Sequence, residues 1–264
     1  MLDLTSEVWI VTDVDGTLMD HHYDLSPALP TLSLLKKNSI PVILCTSKTS
    51  AEVRLIRKEI DNIDPFIIEN GGAIYGNHKN TNEEWEIVLG SSYKQLRKIF
   101  DSLSAEIGYS LIALNDLSNG EINKLTGLNN SQIDLALQRH WSVPFLNPPE
   151  KYHQKLNTLL DKYKINIFQG NRMSHLLGRG SHKGKAVTHL KKFLKAKNVK
   201  VIGLGDSPND LPLLQIADIS VIVPGSSGPN KALVSGMNNK DYIVAPYEGA
   251  KGWSYVLEDL IKFI

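Results

Sequence analysis

Acidic residues stand at two places in the sequence where a run of apolar residues ends. Asp13 and Asp15 follow an apolar run near the N-terminus, and Asp206 and Asp210 follow another in the last quarter of the chain. A pair of nearby carboxylates could combine nucleophilic with acid–base chemistry, and carboxylates from two distant segments could hold a divalent cation. Taken alone, an Asp after a strand is more often a turn or cap residue.

Hydroxyl groups and glycines follow two further apolar runs. Thr46 and Ser47 come after the run that ends at Cys45, and Asn70 and Gly71 come shortly after Phe66–Ile68. Ligands of an open parallel sheet bind beyond the carboxyl ends of its strands. The joint placement of carboxylates, hydroxyls and glycines at one sheet edge therefore predicts a site for an anion and a metal ion.

The elements that must position these residues alternate along the chain. Helical patterns at Pro27–Asn38 and at Ser50–Ile60, with Ser50 as its expected N-cap, separate the first apolar runs. The same alternation returns from Lys183 to the C-terminus. Near-continuous apolar strands separated by helices are typical of an α/β fold with a parallel sheet covered on both faces.

The pattern changes between the two parts of this predicted sheet. Helical stretches near 93–105, 131–139 and 151–162 alternate with strand-like runs at 109–114, 141–146, 165–169 and 175–177. We therefore predict a core made of residues 1–85 and 179–264. We also predict an inserted α+β domain at residues 86–178, which is called the inserted segment from here on.

The overall composition limits the classes of function. The chain has 264 residues and a net charge of +1, so no general basic excess favours nucleic acid or an anionic membrane as a partner. A single cysteine, Cys45, excludes an internal disulfide and fits a reducing compartment. Residues 1–7 lack the pattern of a signal peptide, and no apolar run approaches a membrane span. We expect a cytoplasmic protein; its oligomeric state is not indicated.

Residues 13–18, Asp-Val-Asp-Gly-Thr-Leu, resemble the first motif of the haloacid dehalogenase superfamily. The resemblance implies a Rossmann-like core in which Asp13 attacks phosphorus and Asp15 acts first as a general acid and then as a general base. A carboxylate nucleophile divides a very slow displacement into formation and hydrolysis of an aspartyl-phosphate. Gly16 permits a sharp turn after the pair.

Two single residues resemble the second and third motifs of that superfamily. Thr46 is similar to the strand-end hydroxyl that binds the phosphoryl group, and Lys183 to the lysine that offsets phosphate charge and orients Asp13. Cys45, beside Thr46, is better explained as a core residue than as a nucleophile, because nothing nearby marks it as activated.

Residues 205–210, Gly-Asp-Ser-Pro-Asn-Asp, resemble the fourth motif. The resemblance implies a Mg²⁺ ion held by Asp13, the backbone carbonyl of Asp15, and Asp206. Asn209 and Asp210 are then expected to orient these ligands from outside the coordination shell.

Three further stretches, at residues 45–53, 69–75 and 170–178, resemble the mannosyl-3-phosphoglycerate phosphatase family over nearly the whole chain. The resemblance implies that the inserted segment is a cap that recognises the leaving group. It also implies conversion of mannosyl-3-phosphoglycerate, or its glucosyl analogue, to mannosylglycerate or glucosylglycerate, which are compatible solutes.

A substrate of this kind carries a phosphate, a carboxylate and a neutral sugar. Arginine suits a bidentate contact with a carboxylate, and we expect Arg172 first, then Arg139, to make it. The residues predicted to bind substrate are Thr46, Ser47, Lys48, Gly71, Gly72, Arg139, Arg172, His175 and Asn209.

Three alternatives to this function remain at the level of sequence. The first is another sugar-phosphate phosphatase, such as a sucrose-phosphate phosphatase, and the second is a hexose-phosphate mutase, which would release little phosphate. The third is a phosphoacceptor or metabolite sensor without turnover. Such a sensor would be expected to lose Asp13 or Asp15, and both are present.

Overall fold

The computed structural model describes residues 7–262 apart from residues 21, 79, 80, 82 and 171. Residues 1–6, on which the prediction about targeting depends, and residue 171 of the predicted stretch 170–178 therefore lie outside the described residues.

Among the described residues, the strands form two sheets. They are β1 (Val8–Thr12), β2 (Val42–Cys45), β3 (Phe66–Ile68), β4 (Ala73–Asn77), β5 (Glu84–Val88), β6 (Val143–Phe145), β7 (Ile165–Gln169), β8 (Ser174–Gly178), β9 (Lys200–Gly205), β10 (Ile219–Ile222) and β11 (Ile243–Val244). The large sheet has the order β11-β10-β9-β1-β2-β3-β4-β5, and the small sheet has the order β6-β8-β7.

Helices connect and cover these strands. They are α1 (Leu29–Lys37), α2 (Ser50–Glu59), α3 (Tyr93–Ile107), α4 (Asn119–Thr126), α5 (Asn130–Ala136), α6 (His153–Tyr163), α7 (Lys183–Phe193), α8 (Leu211–Ile216), α9 (Lys231–Gly236) and α10 (Gly249–Ile261). Across the described ranges, none of them combines the length and apolar character needed to cross a membrane. The predicted cytoplasmic location stays a prediction.

The large sheet confirms the predicted α/β fold. Its strands from β11 to β3 run parallel, with β1 between β2 and β9. Apolar clusters lie on both faces: Trp253 of α10 belongs to one, and Leu190 of α7 to the other. This covering on both faces explains why the parallel strands read as continuous apolar runs.

Strands β4 and β5 were not predicted from the sequence. They extend the sheet beyond β3 as an antiparallel pair, and the side chains of β5 alternate between exposed and half-buried. A strand at a sheet edge needs no continuous apolar run, because one of its faces can stay in water.

Part of the inserted segment forms the small antiparallel sheet, on which α3 and α6 pack around Phe100, Phe145 and Leu176. The prediction of a strand over 109–114 is wrong in extent, because the range has a single isolated antiparallel bridge, between Ala113 and Phe145 of β6. Leu111 and Leu114 are buried, but the amide of Leu111 donates to the Ser104 side chain rather than to a neighbouring strand. The predicted domain boundaries at 86 and 178 stay a prediction.

The N-terminus of α2 corrects a second detail. Thr49, not Ser50, is the N-cap: its hydroxyl accepts from the amide of Glu52, and the Glu52 carboxylate accepts from the amide of Thr49. The Thr-x-x-Glu spacing of this capping box is readable in the sequence and could have located the helix start.

Candidate active site

Strand β1 positions Asp13 at the carboxyl edge of the large sheet. All five residues of β1 are buried, and the amide of Asp13 continues the ladder by donating to the carbonyl of Leu204 at 2.9 Å. Gly16 has a φ of +80°, a value that favours glycine, and turns the chain directly after Asp15. Thr17 then donates from its hydroxyl to Asp206 Oδ1 at 3.2 Å. The first and fourth motifs are therefore bonded to each other.

A fully buried lysine joins two of the carboxylates. Lys183 Nζ lies 2.5 Å from Asp13 Oδ1 and also donates to Asp210 Oδ1. Burial opposes the charge of this lysine, but the two carboxylates outweigh burial and raise the pKa of Lys183 above its usual range. The lysine is therefore charged at neutral pH and fixes the direction of Asp13.

The second oxygen of Asp210 binds the loop after β9. Asp210 Oδ2 accepts from the amides of Asp206 and Ser207, each at 3.0 Å. Gly205 is required here, because a Cβ atom at this position would lie 2.4 Å from the Cβ of Asp210. Asp210 thus holds Lys183 on one side and the backbone of Asp206 on the other.

Three buried carboxylates form a group that could hold a metal ion. One oxygen each from Asp13, Asp206 and Asp210 lies within 4.8 Å of the others. Burial raises the pKa of Asp13 to about 7, with Lys183 opposing that rise and Asp210 adding to it. One lysine facing three carboxylates leaves excess negative charge, and carboxylate oxygens are the ligands that hard cations such as Mg²⁺ prefer. The donor set fits a divalent ion.

Asp15 lies beside the group but makes different contacts. Its Oδ2 lies 2.9 Å from Lys48 Nζ, and Lys48 also lies 3.5 Å from Glu52. Oδ1 of Asp15 is buried and has no hydrogen-bond partner among the residues that the structure describes. A carboxylate oxygen without a donor next to Asp13 is suited to receive or deliver a proton.

Thr46 and the two predicted glycines, Gly71 and Gly72, are buried. The hydroxyl of Thr46 is buried and accepts from the amide of Lys48 at 3.2 Å. A Cβ at Gly71 would lie 2.5 Å from the carbonyl oxygen of His182, and one at Gly72 would lie 2.4 Å from the Trp141 Cβ. Packing explains both glycines, and their role in substrate binding stays a prediction.

A cavity opens in front of Asp13, with walls from the core and from the inserted segment. The predicted residues that line it are Asp13, Asp15, Ser47, Lys48, Arg139, Arg172, His175 and Asn209. The predicted residues that do not line it are Thr46, Gly71, Gly72, Lys183, Asp206 and Asp210.

The two arginines on the cavity wall differ in how they are held. Nη1 of Arg139 donates to the backbone carbonyl of Ser47 at 2.6 Å, so its guanidinium is bonded to the core. Nη1 of Arg172 donates to the hydroxyl of Tyr23 at 2.6 Å and to the carbonyl of Thr126 at 3.0 Å. Arg172 is thus bonded to a side chain and a carbonyl at the cavity wall.

Tyr23 was missed in the sequence, where a single tyrosine in a polar stretch gives no signal. Two cations lie near the centre of its ring, Lys48 Nζ at 5.2 Å and Arg172 Cζ at 5.7 Å. His175, by contrast, was predicted from the sequence. Burial lowers the pKa of its imidazole, and the nearby charges of Arg139 and Lys183 lower it further, to about 3, so His175 is neutral. The cavity therefore has two cations around one aromatic ring.

The fold and the buried Asp–Lys–Asp group define a class of hydrolase. The sequence of residues 10–235 matches the family model of the haloacid dehalogenase-like hydrolases. The chain also resembles the solved structure of protein 0175 of Thermoplasma acidophilum, with a TM-score of 0.71 and 18% sequence identity over 96% of this chain and 98% of that one. The latter likeness supports the fold alone.

Two relatives narrow the class. A Persephonella marina protein named glucosyl-3-phosphoglycerate/mannosyl-3-phosphoglycerate phosphatase is 36% identical over 258 residues, which cover 93% of this chain and 94% of the relative. A Methanococcoides burtonii protein of the same name is 34% identical over 274 residues, covering 96% of each chain. The chain belongs to this family of phosphatases within the haloacid dehalogenase-like hydrolases.

Proposed function

We propose that the protein hydrolyses the phosphate ester of mannosyl-3-phosphoglycerate, glucosyl-3-phosphoglycerate or both. The products would be mannosylglycerate or glucosylglycerate and inorganic phosphate, in the synthesis of compatible solutes. The observation that carries the proposal is Lys183, buried between Asp210 and Asp13, because Asp13 lines the cavity that Arg172 also lines. The names of the two relatives support the choice of substrate.

In the first step an oxygen of Asp13 bonds to phosphorus while the bond from phosphorus to the glycerate oxygen breaks. Asp15 donates a proton to the departing oxygen, so the glycerate leaves as an alcohol. Acid help of this kind typically contributes ~10²–10⁴-fold. Lys183 holds Asp13 in the attacking direction, and the hydroxyl of Thr46 is proposed to bind the phosphoryl group.

In the second step Asp15, now ionised, takes a proton from water. The water oxygen bonds to phosphorus, the bond to the Asp13 oxygen breaks, and inorganic phosphate leaves. Both carboxylates return to their starting states, so no further reactant is required.

We propose Mg²⁺ as the cofactor, held by Asp13, Asp206 and the backbone carbonyl of Asp15. Asp210 and Asn209 would orient these ligands, as the contacts of Asp210 with the backbone of Asp206 and Ser207 suggest. When bound, the ion supplies positive charge that keeps Asp13 ionised and offsets the charge of the phosphoryl group.

The inserted segment at 86–178 is proposed as the cap that recognises the leaving group, over a core of residues 1–85 and 179–264. Arg172 is the favoured contact for the substrate carboxylate, because all three guanidinium nitrogens of Arg139 already face acceptors of the protein, whereas the bonds of Arg172 to described residues use Nη1 alone. Ser47, Lys48, His175 and Asn209 line the same cavity and are proposed to complete the site.

The test is a panel of hexosyl-3-phosphoglycerates, sucrose phosphate and hexose phosphates, assayed for phosphate release with Mg²⁺ and with a chelator. We expect release from the hexosyl-3-phosphoglycerates to be fastest and to stop with the chelator. Faster phosphate release from sucrose phosphate would contradict the proposed substrate. Release at the same rate with the chelator would contradict the proposed Mg²⁺ cofactor.

A further inference from the structure

One buried carboxylate has no part in the reaction just described. Glu69 follows β3 in the large sheet and is 1% exposed. Its Oε1 accepts from the amide of His140 at 2.9 Å, while Oε2 accepts from the amide of Trp141 at 3.0 Å and from the hydroxyl of Ser142 at 2.6 Å. All three donors belong to the inserted segment. A buried carboxylate is tolerated only when it is hydrogen-bonded in this way.

The backbone around Glu69 is held in an uncommon conformation. Glu69, Asn70 and Gly71 have φ values of +46°, +57° and +93°, so three successive residues lie in the left-handed region. That region is unfavourable for residues with a Cβ atom and persists where the surroundings impose it. The amide of Glu69 donates to the carbonyl of Lys48 at 3.0 Å, and the amide of Asn70 donates to that of Thr46 at 2.9 Å.

The same short loop touches the segments that carry the reacting groups. Oδ1 of Asn70 accepts from Nδ2 of Asn209 at 2.9 Å, which links the loop to the fourth motif. Gly71 packs against the carbonyl of His182, the residue before Lys183. The position of Glu69 is therefore fixed relative to the reacting groups.

A contact in the opposite direction lies one residue away. Arg139, beside His140 in the inserted segment, donates to the carbonyl of Ser47 in the core at 2.6 Å. A core carboxylate thus receives donors from the inserted segment, and a cation of the inserted segment reaches a core carbonyl. Residues 139–142 are bonded to the loops after β2 and β3, which both end at the edge that carries Asp13.

We propose that Glu69 is a positioning residue, which fixes residues 139–142, and with them the wall of the cavity that bears Arg139, over Asp13. Glu69 does not line the cavity, so we expect it to make no contact with substrate. The inference rests on the proposed function for the identity of the leaving group. Glu69 would control how the leaving group is held, and it would take no part in the transfer of the phosphoryl group.

The first test compares two substrates in Glu69→Gln. The glutamine keeps the volume, but its amide nitrogen must face at least one of the three donors. We expect kcat/KM for a hexosyl-3-phosphoglycerate to fall roughly tenfold or more, because small displacements of a positioned group are costly. Hydrolysis of p-nitrophenyl phosphate, whose leaving group needs no sugar site, should change less than about threefold. Equal losses on both substrates would overturn the proposal.

Two further variants separate positioning from stability. Ser142→Ala removes one of the three donors and should shift the substrate ratio in the same direction by a smaller factor. Asp64→Asn is the matched control, since Asp64 accepts from the amide of Val42 at 2.8 Å within the large sheet. It should lower the melting temperature without changing the ratio. A changed ratio in Asp64→Asn would contradict the special role of Glu69.

Hydrogen exchange without substrate gives an independent measurement. The amides of His140 and Trp141 should exchange at least about tenfold faster in Glu69→Gln, and the amide of Val42 should not. Unchanged exchange at 140 and 141 would overturn the proposal, even if activity falls. If the wild-type enzyme does not hydrolyse a hexosyl-3-phosphoglycerate but the exchange rises as expected, the substrate is wrong and the role of Glu69 stands. Ser142→Ala carries this test if Glu69→Gln does not fold.

Discussion

The two walls of the cavity are built in different ways. Around Asp13, the contacts join segments that all follow strands of one sheet or begin the helix α7, and Lys183 has no exposed surface. On the opposite wall, Arg172 is bonded to Tyr23 and to the carbonyl of Thr126, with about one hundred residues of chain between those two partners. Both the reacting wall, around Asp13, and the recognition wall, around Arg172, join segments that are distant in sequence. Asp13 and Lys183 are buried and stand at a strand end and at a helix start. Tyr23 and Arg172, by contrast, lie outside such motifs.

This difference explains what could be read from the sequence. Asp13, Lys183 and Asp206 stand next to an apolar strand or at a helix start, so a local motif is enough to find them. The expectation that Asp210 orients the ligands from outside the metal shell stays a prediction; its carboxylate lies beside those of Asp13 and Asp206, because its loop folds back onto Asp206. The parallel part of the fold was predicted for the same local reason.

The recognition wall could not be read in this way. The role of Tyr23 follows from its contacts with Lys48 and Arg172, and no spacing in the sequence indicates that these three residues lie together. Glu69 likewise depends on amides about seventy residues later. Long-range contacts of single side chains leave no periodic pattern, so these contacts appear only in the structure.

The largest effect is expected from Asp13→Asn. An amide cannot form the aspartyl-phosphate, so turnover should fall below detection on every phosphate ester. Fixed-time and steady-state assays of phosphate release, with a hexosyl-3-phosphoglycerate and with p-nitrophenyl phosphate, would measure the loss of turnover. Wild-type activity in a folded Asp13→Asn variant would show that Asp13 is not the nucleophile, and the cavity would then have no identified reacting wall.

Asp15→Asn should lower kcat by ~10²-fold or more, because the leaving oxygen and the attacking water both lose their proton partner. The loss should be smaller on p-nitrophenyl phosphate, whose leaving group needs less help from an acid. A loss under about threefold on the hexosyl substrate would show that Asp15 has another role.

Arg172→Ala tests the recognition wall. A charged hydrogen bond is worth about 1.5–3 kcal/mol, so KM for a hexosyl-3-phosphoglycerate should rise ~10-fold or more. KM for p-nitrophenyl phosphate, which has no carboxylate, should stay within about twofold. Arg172→Lys serves as the control that keeps the charge, and equal effects on both substrates would contradict the carboxylate contact.

His175→Gln, at a proposed substrate contact, should have the smallest effect on turnover, and its clearest effect should be on stability in acid. Burial lowers the pKa of His175 to about 3, so the unfolded chain binds this proton first as the pH falls below about 6.5. The free energy of unfolding should therefore fall with acid by up to about 1.4 kcal/mol per pH unit from this group. Denaturant titrations from pH 7 to 4 should show a weaker decline in the variant, and an identical slope would mean that His175 is protonated in the folded state.

The central place of β1 also has a consequence for synthesis on the ribosome. Because β1 pairs with both β2 and β9, the large sheet cannot be completed until β9 has left the ribosome. By then the inserted segment, whose apolar cluster ends at Leu176, has already emerged. Nascent chains should therefore complete the small sheet first, although the first strand to be translated, β1, belongs to the large sheet.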